Sequence, residues 1–222
     1  MLTETSNNEQ VRNFDAVIVY RGFLLEDLNN DIALLHLCEP VTFTDFVQPI
    51  CLTKTWEDVD ILDSYQDCWI AGWGNEAPDT DLPNRLQEAE VPLLSYEECW
   101  NIYLTGTTFQ LPDGDICAGD SGASTCQGDS GGPLSCRGDD GRWHLVGIVS
   151  GGIGCGRLPS FFTRVSRYYS FIERNIRRHE ECISPDLRCS NEVCGNPTCV
   201  LEEQRCDGVP HCPDGEDEII NC

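Results

Sequence analysis

Short apolar runs, separated by Gly, Pro, Asn and Asp, make up most of the chain from Val11 to about Ile153. Clear examples are DAVIVY, DIALLHL, CWIAGWG and WHLVGIVSGG. Runs of this length between turn-forming residues are typical of β-strands rather than of helices. The pattern therefore predicts an all-β barrel or sandwich over this part of the chain.

Residues 164–180 follow a different period. Their apolar side chains recur every three or four positions, which predicts one amphipathic helix packed on the barrel. The recurring residues are Val165, Tyr168, Ile172 and Ile176. Arg177 and Arg178 suit the last turn of this helix, because the helix dipole places negative partial charge there.

The composition changes sharply after Glu181. Residues 182–222 hold seven cysteines and many carboxylates but almost no aromatic side chains. So short a segment cannot build much of a core and needs disulfides or a metal ion to hold it together. We therefore predict two domains, residues 1–181 and 182–222.

Charge and cysteine content limit the partners and the compartment. The net charge of −24 argues against nucleic acids and anionic membranes as partners, since both repel such a chain. Fifteen cysteines indicate disulfides and hence an extracellular, secreted protein. Yet the segment MLTETSNNEQ has no signal peptide, no run approaches the length of a membrane span, and the cysteine count is odd. We therefore expect a truncated fragment.

The stretch CQGDSGGPLSC contains the candidate nucleophile, Ser130. Its glycines allow a tight turn in which the N–H groups of Gly128 and Ser130 converge on one point. Such a pair of donors can stabilise the oxyanion of an acyl-transfer intermediate. A Gly-rich surface turn between two strands is the alternative interpretation of this stretch alone.

Several further blocks accompany this stretch in a fixed order. They are NDIALL at 30–35, PICL at 49–52, CWIAGWG at 68–74, ICAG at 116–119 and GIVSGG at 147–152. With these blocks the chain resembles the chymotrypsin/trypsin family of serine proteases (peptidase S1) over about residues 11–180. The resemblance implies a trypsin-like double β-barrel with an incomplete first barrel and a C-terminal helix. It also implies a serine endopeptidase that hydrolyses polypeptide substrates through an acyl-enzyme and needs no cofactor for catalysis.

The resemblance assigns a role to each matching residue. Ser130 is the nucleophile, and the N–H groups of Gly128 and Ser130 form the oxyanion hole. Asp31 orients a histidine and stabilises its imidazolium form, and Ser150 lies beside that aspartate. Asp129 lines the activation pocket, where it receives the amine that activation frees.

The resemblance also locates a substrate pocket and three disulfides. The pocket residues are Ser124, Thr125, Ser150, Gly152 and Ser160. The disulfides are Cys68–Cys136, Cys99–Cys117 and Cys126–Cys155, while Cys51 matches a cysteine that often pairs with an upstream pro-segment. Because Ser124 at the base has no charge to pair with Arg or Lys, we predict a chymotrypsin-like preference for apolar side chains. Two points stay open: Gly151 replaces the usual tryptophan, and a shifted alignment would bring Asp120 closer.

The base of the triad is missing from its family position. None of the four histidines lies in an Ala-Ala-His-Cys block: His36 is expected at a strand edge, His144 on the surface, His179 after the helix and His211 in the small module. The Ile-Val-Gly-Gly start is absent too, which leaves Asp129 without an amine. Loss of a triad member removes several orders of magnitude in rate. We therefore expect the chain alone to be inactive.

Within residues 182–222, the stretch CGNPTCVLEEQRCDGVPHCPDGEDEIINC (194–222) has CDG, a five-residue gap and then a DGxDE box before its last cysteine. With this spacing the segment resembles the LDL-receptor class A module. That family folds around three disulfides and one Ca²⁺, which needs six or more oxygen ligands. The matching ligand positions are Asp207, Asp217, Glu218 and the carbonyls of Gln204 and Val209, with a doubtful departure at His211 because imidazole suits Ca²⁺ poorly. The implied pairs are Cys194–Cys212, Cys206–Cys222 and Cys199 with Cys189, or with Cys182 as the alternative. A metal-free disulfide knot also stays open.

Two hypotheses for the whole chain follow. The first is part of an extracellular mosaic serine endopeptidase. The second is a non-catalytic protease-like scaffold with a ligand-binding module of the LDL-receptor type. The presence of Asp31, Asp129 and Ser130 favours the first, because an abandoned active site has no physical need of them.

Overall fold

The computed structural model describes residues 8–52, 65–78, 80–104, 112, 115–120 and 122–182, without the side chains at 66, 104 and 178–182. The predicted LDL-receptor-type module lies outside the described residues from position 183 onward. Its disulfides, its calcium ligands and its protein ligand therefore remain predictions.

Strands dominate the described residues. In chain order they are β1 (Phe14–Val19), β2 (Ala33–Leu37), β3 (Cys51–Leu52), β4 (Gln66–Gly72), β5 (Gln87–Glu90), β6 (Leu93–Leu94), β7 (Ile116–Ala118), β8 (Pro133–Arg137), β9 (Trp143–Gly152) and β10 (Ser160–Arg164). Helix α1 (Tyr96–Leu104) lies between β6 and β7, and a 3₁₀ turn (Val165–Tyr168) leads into α2 (Tyr169–Cys182). A mostly-β fold with a C-terminal helix is confirmed.

The strands form two sheets. β1 and β2 pair antiparallel in a two-stranded sheet. The other sheet has the order β5-β4-β8-β9-β10-β7-β6, and β3 runs parallel to β9 beside it. These assignments confirm the strands that the runs DAVIVY, DIALLHL, CWIAGWG and WHLVGIVSGG predicted.

The chain divides into two compact units. One contains Gly22–Ile32 and Phe43–Tyr169, and with them the larger sheet. The other contains Gln10–Arg21, Ala33–Thr42 and the described residues from Ser170 onward, and with them the two-stranded sheet. The predicted domain boundary after residue 181 stays a prediction, since the module beyond it is not described.

The main core of the larger unit lies between strands that pack closely together, because a small residue on one strand faces large side chains on its neighbours. Leu134 and Phe162 are fully buried in it. Gly147 lies where these side chains meet, because a Cβ at this position would come within 2.8 Å of the Phe162 Cβ. A larger residue at position 147 would push β8 and β10 away from β9.

Helices account for the differences between prediction and structure. Arg164 ends β10 rather than starting a helix, and α2 begins only at Tyr169. Val165, Tyr168 and Ile172 are buried as predicted, but the prediction for Ile176 is wrong, because 51% of this residue is exposed. Helix α1 was not predicted at all.

Candidate active site

Asp31 and the side chain of its neighbour Asn30 are each held by two hydrogen bonds around the end of a loop. Asn30 has a left-handed backbone (φ 59°), which asparagine tolerates better than most residues. The Asn30 side chain donates from Nδ2 to the Gly22 carbonyl (2.8 Å) and accepts at Oδ1 from the Tyr168 hydroxyl (3.0 Å). Thr163 Oγ1 donates to the Asp31 carbonyl (2.8 Å), and Ser150 Oγ donates to Asp31 Oδ2 (2.8 Å).

Ser130 lies at the tip of a turn that is hydrogen-bonded to β9. The Asp129 N–H donates to the Cys126 carbonyl (3.1 Å), and the Gly132 N–H donates to the Asp129 carbonyl (2.8 Å). On the β9 side, the Gly131 N–H donates to the Val149 carbonyl and the Val149 N–H donates to the Gly132 carbonyl, both over 2.9 Å. These bonds fix the backbone on both sides of Ser130 and leave the residue exposed.

The two candidate catalytic residues are thus fastened to consecutive positions of one strand. Val149 holds the turn of Ser130, and Ser150 holds the carboxylate of Asp31. A rigid strand positions functional side chains more exactly than a loop does. The chain therefore brings the candidate nucleophile and the candidate carboxylate to the same end of β9.

The backbone around the nucleophile meets the requirements of an oxyanion hole in two respects. Gly128 and Gly131 both have positive φ values, +100° and +79°, which glycine adopts without a steric cost. Within the described part of the chain, neither the Gly128 nor the Ser130 N–H donates a hydrogen bond. No described acceptor therefore occupies either of these two donors.

The Asp129 carboxylate faces away from solvent into a small glycine-lined space. Its Oδ1 accepts from the Gly74 N–H (2.8 Å), and its Oδ2 accepts from the Cys126 N–H (3.0 Å). A Cβ at Gly72 would come within 2.1 Å of Oδ1, and one at Gly74 within 2.4 Å. The two glycines of the block CWIAGWG therefore make room for this carboxylate.

Four of the five residues assigned to the substrate pocket lie together, while the fifth, Ser150, binds Asp31. Ser160 Oγ accepts from both the N–H and the hydroxyl of Thr125 (2.9 and 2.7 Å), and Gly152 pairs with Ser160 across the strands. Ser124 Oγ accepts from the Gly156 N–H (2.7 Å). A cavity of about 240 Å³ is bordered by Ser124, Thr125, Gly156 and Asp129.

The structure shows where Asp120 lies and what fills the space beside Gly151, the two points about this pocket that the sequence left open. The Asp120 carboxylate accepts the N–H groups of Gly122 (2.8 Å) and Ala123 (3.0 Å) within its own exposed loop. The position of Gly151, where the family has tryptophan, faces the Phe161 ring, and a Cβ there would come within 2.4 Å of it. Phe161 is buried and thus occupies the space beside the glycine.

Both histidines whose side chains are described are bound to other carboxylates. His36 Nδ1 and Asp15 Oδ1 lie 2.6 Å apart, and His144 Nε2 and Asp140 Oδ1 lie 3.2 Å apart. His36 lies at the strand edge, as expected. The expected surface position of His144 is wrong, because its side chain is only 16% exposed and packs against Tyr65.

Three disulfides connect the part of the chain that surrounds the site. They are Cys68–Cys136, Cys99–Cys117 and Cys126–Cys155, the pairs that the resemblance implied. Cys126–Cys155 closes the turn of Ser130 on one side. Of the described cysteines, Cys38 and Cys51 form no disulfide.

Sequence reasoning missed three residues that position Asp31. Thr163 binds the Asp31 carbonyl, and Tyr168 binds the side chain of Asn30, which also binds Gly22. From the sequence, Asn30 was only part of a motif block, Tyr168 was an apolar helix position, and Thr163 had no assigned role. The only available signal was Thr163, a polar residue within the apolar run before the helix.

The comparisons with known proteins agree with this geometry. A sequence model of the trypsin family matches residues 1–172. The chain belongs to the trypsin family. Testisin from Homo sapiens is 40% identical over 152 residues, which are 65% of this chain and 47% of that protein. Serine proteinase stubble from Drosophila melanogaster is also 40% identical over 152 residues, which are 66% of this chain and 19% of that protein.

The matched region is only part of these relatives. The chain spans less than half of the length of testisin and about a fifth of stubble. Among the residues that the structure describes, no helix has the length and apolar character needed to cross a bilayer.

Proposed function

We propose that the chain carries the nucleophile and the carboxylate of an extracellular serine endopeptidase, Ser130 and Asp31. The observation that carries this proposal is their common attachment to β9, through Val149 and Ser150. Membership of the trypsin family makes the chain a serine peptidase by descent. The three disulfides support an oxidising, extracellular location.

The proposed reaction is acyl transfer from a peptide bond. Ser130 Oγ attacks the scissile carbonyl carbon and gives up its proton to a base, which then protonates the leaving amine. The N–H groups of Gly128 and Ser130 receive the oxyanion, because no described acceptor occupies either of them. Water attacks the resulting ester of Ser130 in the second half of the reaction and releases the acid.

Among the described side chains, no histidine is placed to act as the base for Ser130. His36 and His144 are bound to Asp15 and Asp140, and none of the four histidines lies in the family's Ala-Ala-His-Cys block. We therefore propose that the 222-residue chain by itself retains only residual activity.

The proposed pocket accepts an uncharged side chain. Its base is Ser124, whose hydroxyl is bound by the Gly156 N–H. The Ser160 hydroxyl narrows the space opposite Gly152, since a Cβ there would lie 3.2 Å from it. The carboxylate of Asp120 is used in its own loop, which supports a preference for apolar rather than basic residues.

Asp129 is the proposed receptor for an activating amine. Both of its oxygens accept backbone N–H groups, and it borders the cavity that also contains Ser124. An ammonium group that entered this space would meet a carboxylate already held in position, which favours a tight ion pair.

The C-terminal module is proposed to bind Ca²⁺ and a protein ligand. This rests on the sequence alone, through Asp207, Asp217 and Glu218, since the module lies outside the described residues.

The test is to locate covalent labelling by a fluorophosphonate probe with mass spectrometry. The proposal expects slow modification of Ser130 that Ser130→Ala abolishes and Ser170→Ala, an exposed control, leaves unchanged. Labelling spread over other serines, or none above that of unfolded chain, would instead support the non-catalytic scaffold.

A further inference from the structure

A groove of about 550 Å³ lies on the larger sheet. The proposed reaction uses none of the described residues that line it. We call it the acidic groove and define it by three apolar and three acidic residues. These are Ile50, Trp69 and Trp143 with Asp67, Glu88 and Glu90.

Strand register explains why these residues share one face. Trp69 on β4 lies directly opposite Glu90 on β5, and directly opposed residues project from the same face of a sheet. Glu88 lies two positions from Glu90 and therefore on that same face. The next residue of β4, Ile70, is buried in the core, so Trp69 projects away from the core.

Asp67 lies two positions before Trp69 and borders the groove where β4 is irregular. The pairing of β4 with β8 shifts between Gln66 and Cys68, and Asp67 has a left-handed backbone (φ 51°). The strand adds a third carboxylate to the two on β5.

The groove leaves apolar surface exposed beside uncompensated negative charge. Trp143 is 44% exposed and Ile50 39%. Within the described part of the chain, no lysine or arginine borders the groove and none of the three carboxylates forms an ion pair. Such a surface favours a ligand that is apolar and cationic at once.

We propose that the acidic groove binds a segment of another polypeptide that carries arginine or lysine next to apolar side chains. Apolar side chains cover Ile50 and the two indole rings. The cations pair with Glu88, Glu90 and Asp67, and stack on Trp69 or Trp143, the strongest aromatic partners for a cation. The surface binds in this way without any contribution from Ser130.

The negative charge of the acidic groove argues against nucleic acids, anionic lipids or a second copy of this chain as its ligand. Nucleic acids and anionic lipids would bring phosphates to the carboxylates. A second copy of this chain carries the same net charge of −24, so two copies repel each other.

The test uses fluorescence anisotropy of a labelled eight-residue peptide of alternating leucine and arginine with the 222-residue chain. Because so acidic a chain attracts any cationic peptide, the variants are matched in charge. Glu88→Gln with Glu90→Gln is expected to weaken binding about fivefold, from two partly exposed ion pairs. Glu26→Gln with Glu39→Gln, which are exposed elsewhere, should change it by less than about twofold. Trp143→Ser is expected to weaken it about tenfold.

Three results would overturn the proposal. The first is an equal loss in the two double variants, which would show unspecific attraction. The second is equal affinity for a peptide of alternating glycine and arginine, which has the charge without the apolar side chains. The third is a dimer in sedimentation equilibrium that Trp143→Ser dissociates, which would make a second copy the occupant. None of these depends on whether Ser130 is reactive.

Discussion

The hydroxyl of Ser150 donates a hydrogen bond to Oδ2 of Asp31 across 2.8 Å, although 119 residues separate the two in sequence. Both residues are partly buried, so the carboxylate depends on this donor for part of the solvation that it lost. The bond connects β9 to the loop before β2, and it places the aspartate at the strand position next to the one that holds the turn of Ser130.

Ser150→Ala is expected to destabilise the fold by about 1–3 kcal/mol, since a hydrogen bond to a charged group is lost and the carboxylate is left under-solvated. The midpoint of urea unfolding, followed by tryptophan fluorescence, measures this. Ser170→Ala removes an exposed hydroxyl from α2 and should leave the midpoint unchanged. Equal midpoints for the two variants would show that the Ser150–Asp31 bond is not formed in solution.

Gly147→Ala is expected to destabilise by about 1–3 kcal/mol through overpacking. Its added Cβ would lie 2.8 Å from the Phe162 Cβ and 3.3 Å from side-chain carbons of Ile116 and Leu134. At Gly122 the nearest atom to a new Cβ is 3.4 Å away, so Gly122→Ala is the control. Thermal unfolding should separate the two variants; a stable Gly147→Ala would mean that β9 is less tightly enclosed than described.

Tyr103 should make the fold sensitive to alkali. Burial raises the pKa of Tyr103 to about 12, and its hydroxyl donates to the Pro159 carbonyl. Because the folded pKa lies above the ordinary value of 10, the contribution of this tyrosine is complete below pH 10 and is lost as the pH rises toward 12. Tyr103→Phe should lower the stability at pH 8 by about 1 kcal/mol and flatten its decline between pH 10 and 12. Tyr96→Phe, at an exposed position, should keep the steep decline.

Replacing Ser95 should destabilise the first turn of helix α1. The Glu98 N–H donates to Ser95 Oγ (3.2 Å), and Glu98 Oε2 accepts from the Ser95 hydroxyl (2.7 Å) and N–H (2.9 Å), which is a capping box. Ser95→Ala should cost about 1 kcal/mol in urea unfolding.

The capping box of Ser95 and Glu98 should also affect how the stability of the fold changes at acidic pH. The Ser95 hydroxyl, followed by its N–H, lowers the pKa of Glu98 below its ordinary value of 4.5. The stability that this bond gives is present above pH 4.5 and is lost as the pH falls through the lowered pKa. Glu98→Gln should therefore show a weaker loss of stability between pH 5 and 3 than the unaltered chain, and an identical acid profile would contradict the box.

Strands β1, β2, β4 and β9 could be predicted because each lies in a short apolar run between turn residues, as in WHLVGIVSGG. Helix α1 was missed because its buried residues, Cys99 and Tyr103, form too short a pattern to stand out among strands. The Ser95-x-x-Glu98 sequence was the available signal, since it marks a helix start.

The site could be predicted only where a motif carried it. The turn of Ser130 is local, so the glycines around it indicate its shape. The bonds from Thr163 and Tyr168 to the Asp31 loop join positions 132 and 138 residues apart. Nothing in the local sequence at either end specifies them, because they depend on how the larger sheet brings distant segments together.

The most direct test of the account is the rate at which a fluorophosphonate modifies Ser130 in the 222-residue chain, with and without Asp31→Asn. If the chain provides no base, labelling should be at least about a thousandfold slower than in an intact trypsin-family protease. Asp31→Asn should then change the rate by less than about twofold, since there is no imidazole for the carboxylate to orient. Labelling as fast as in the intact protease, with a large loss on Asp31→Asn, would show a working triad and contradict the account.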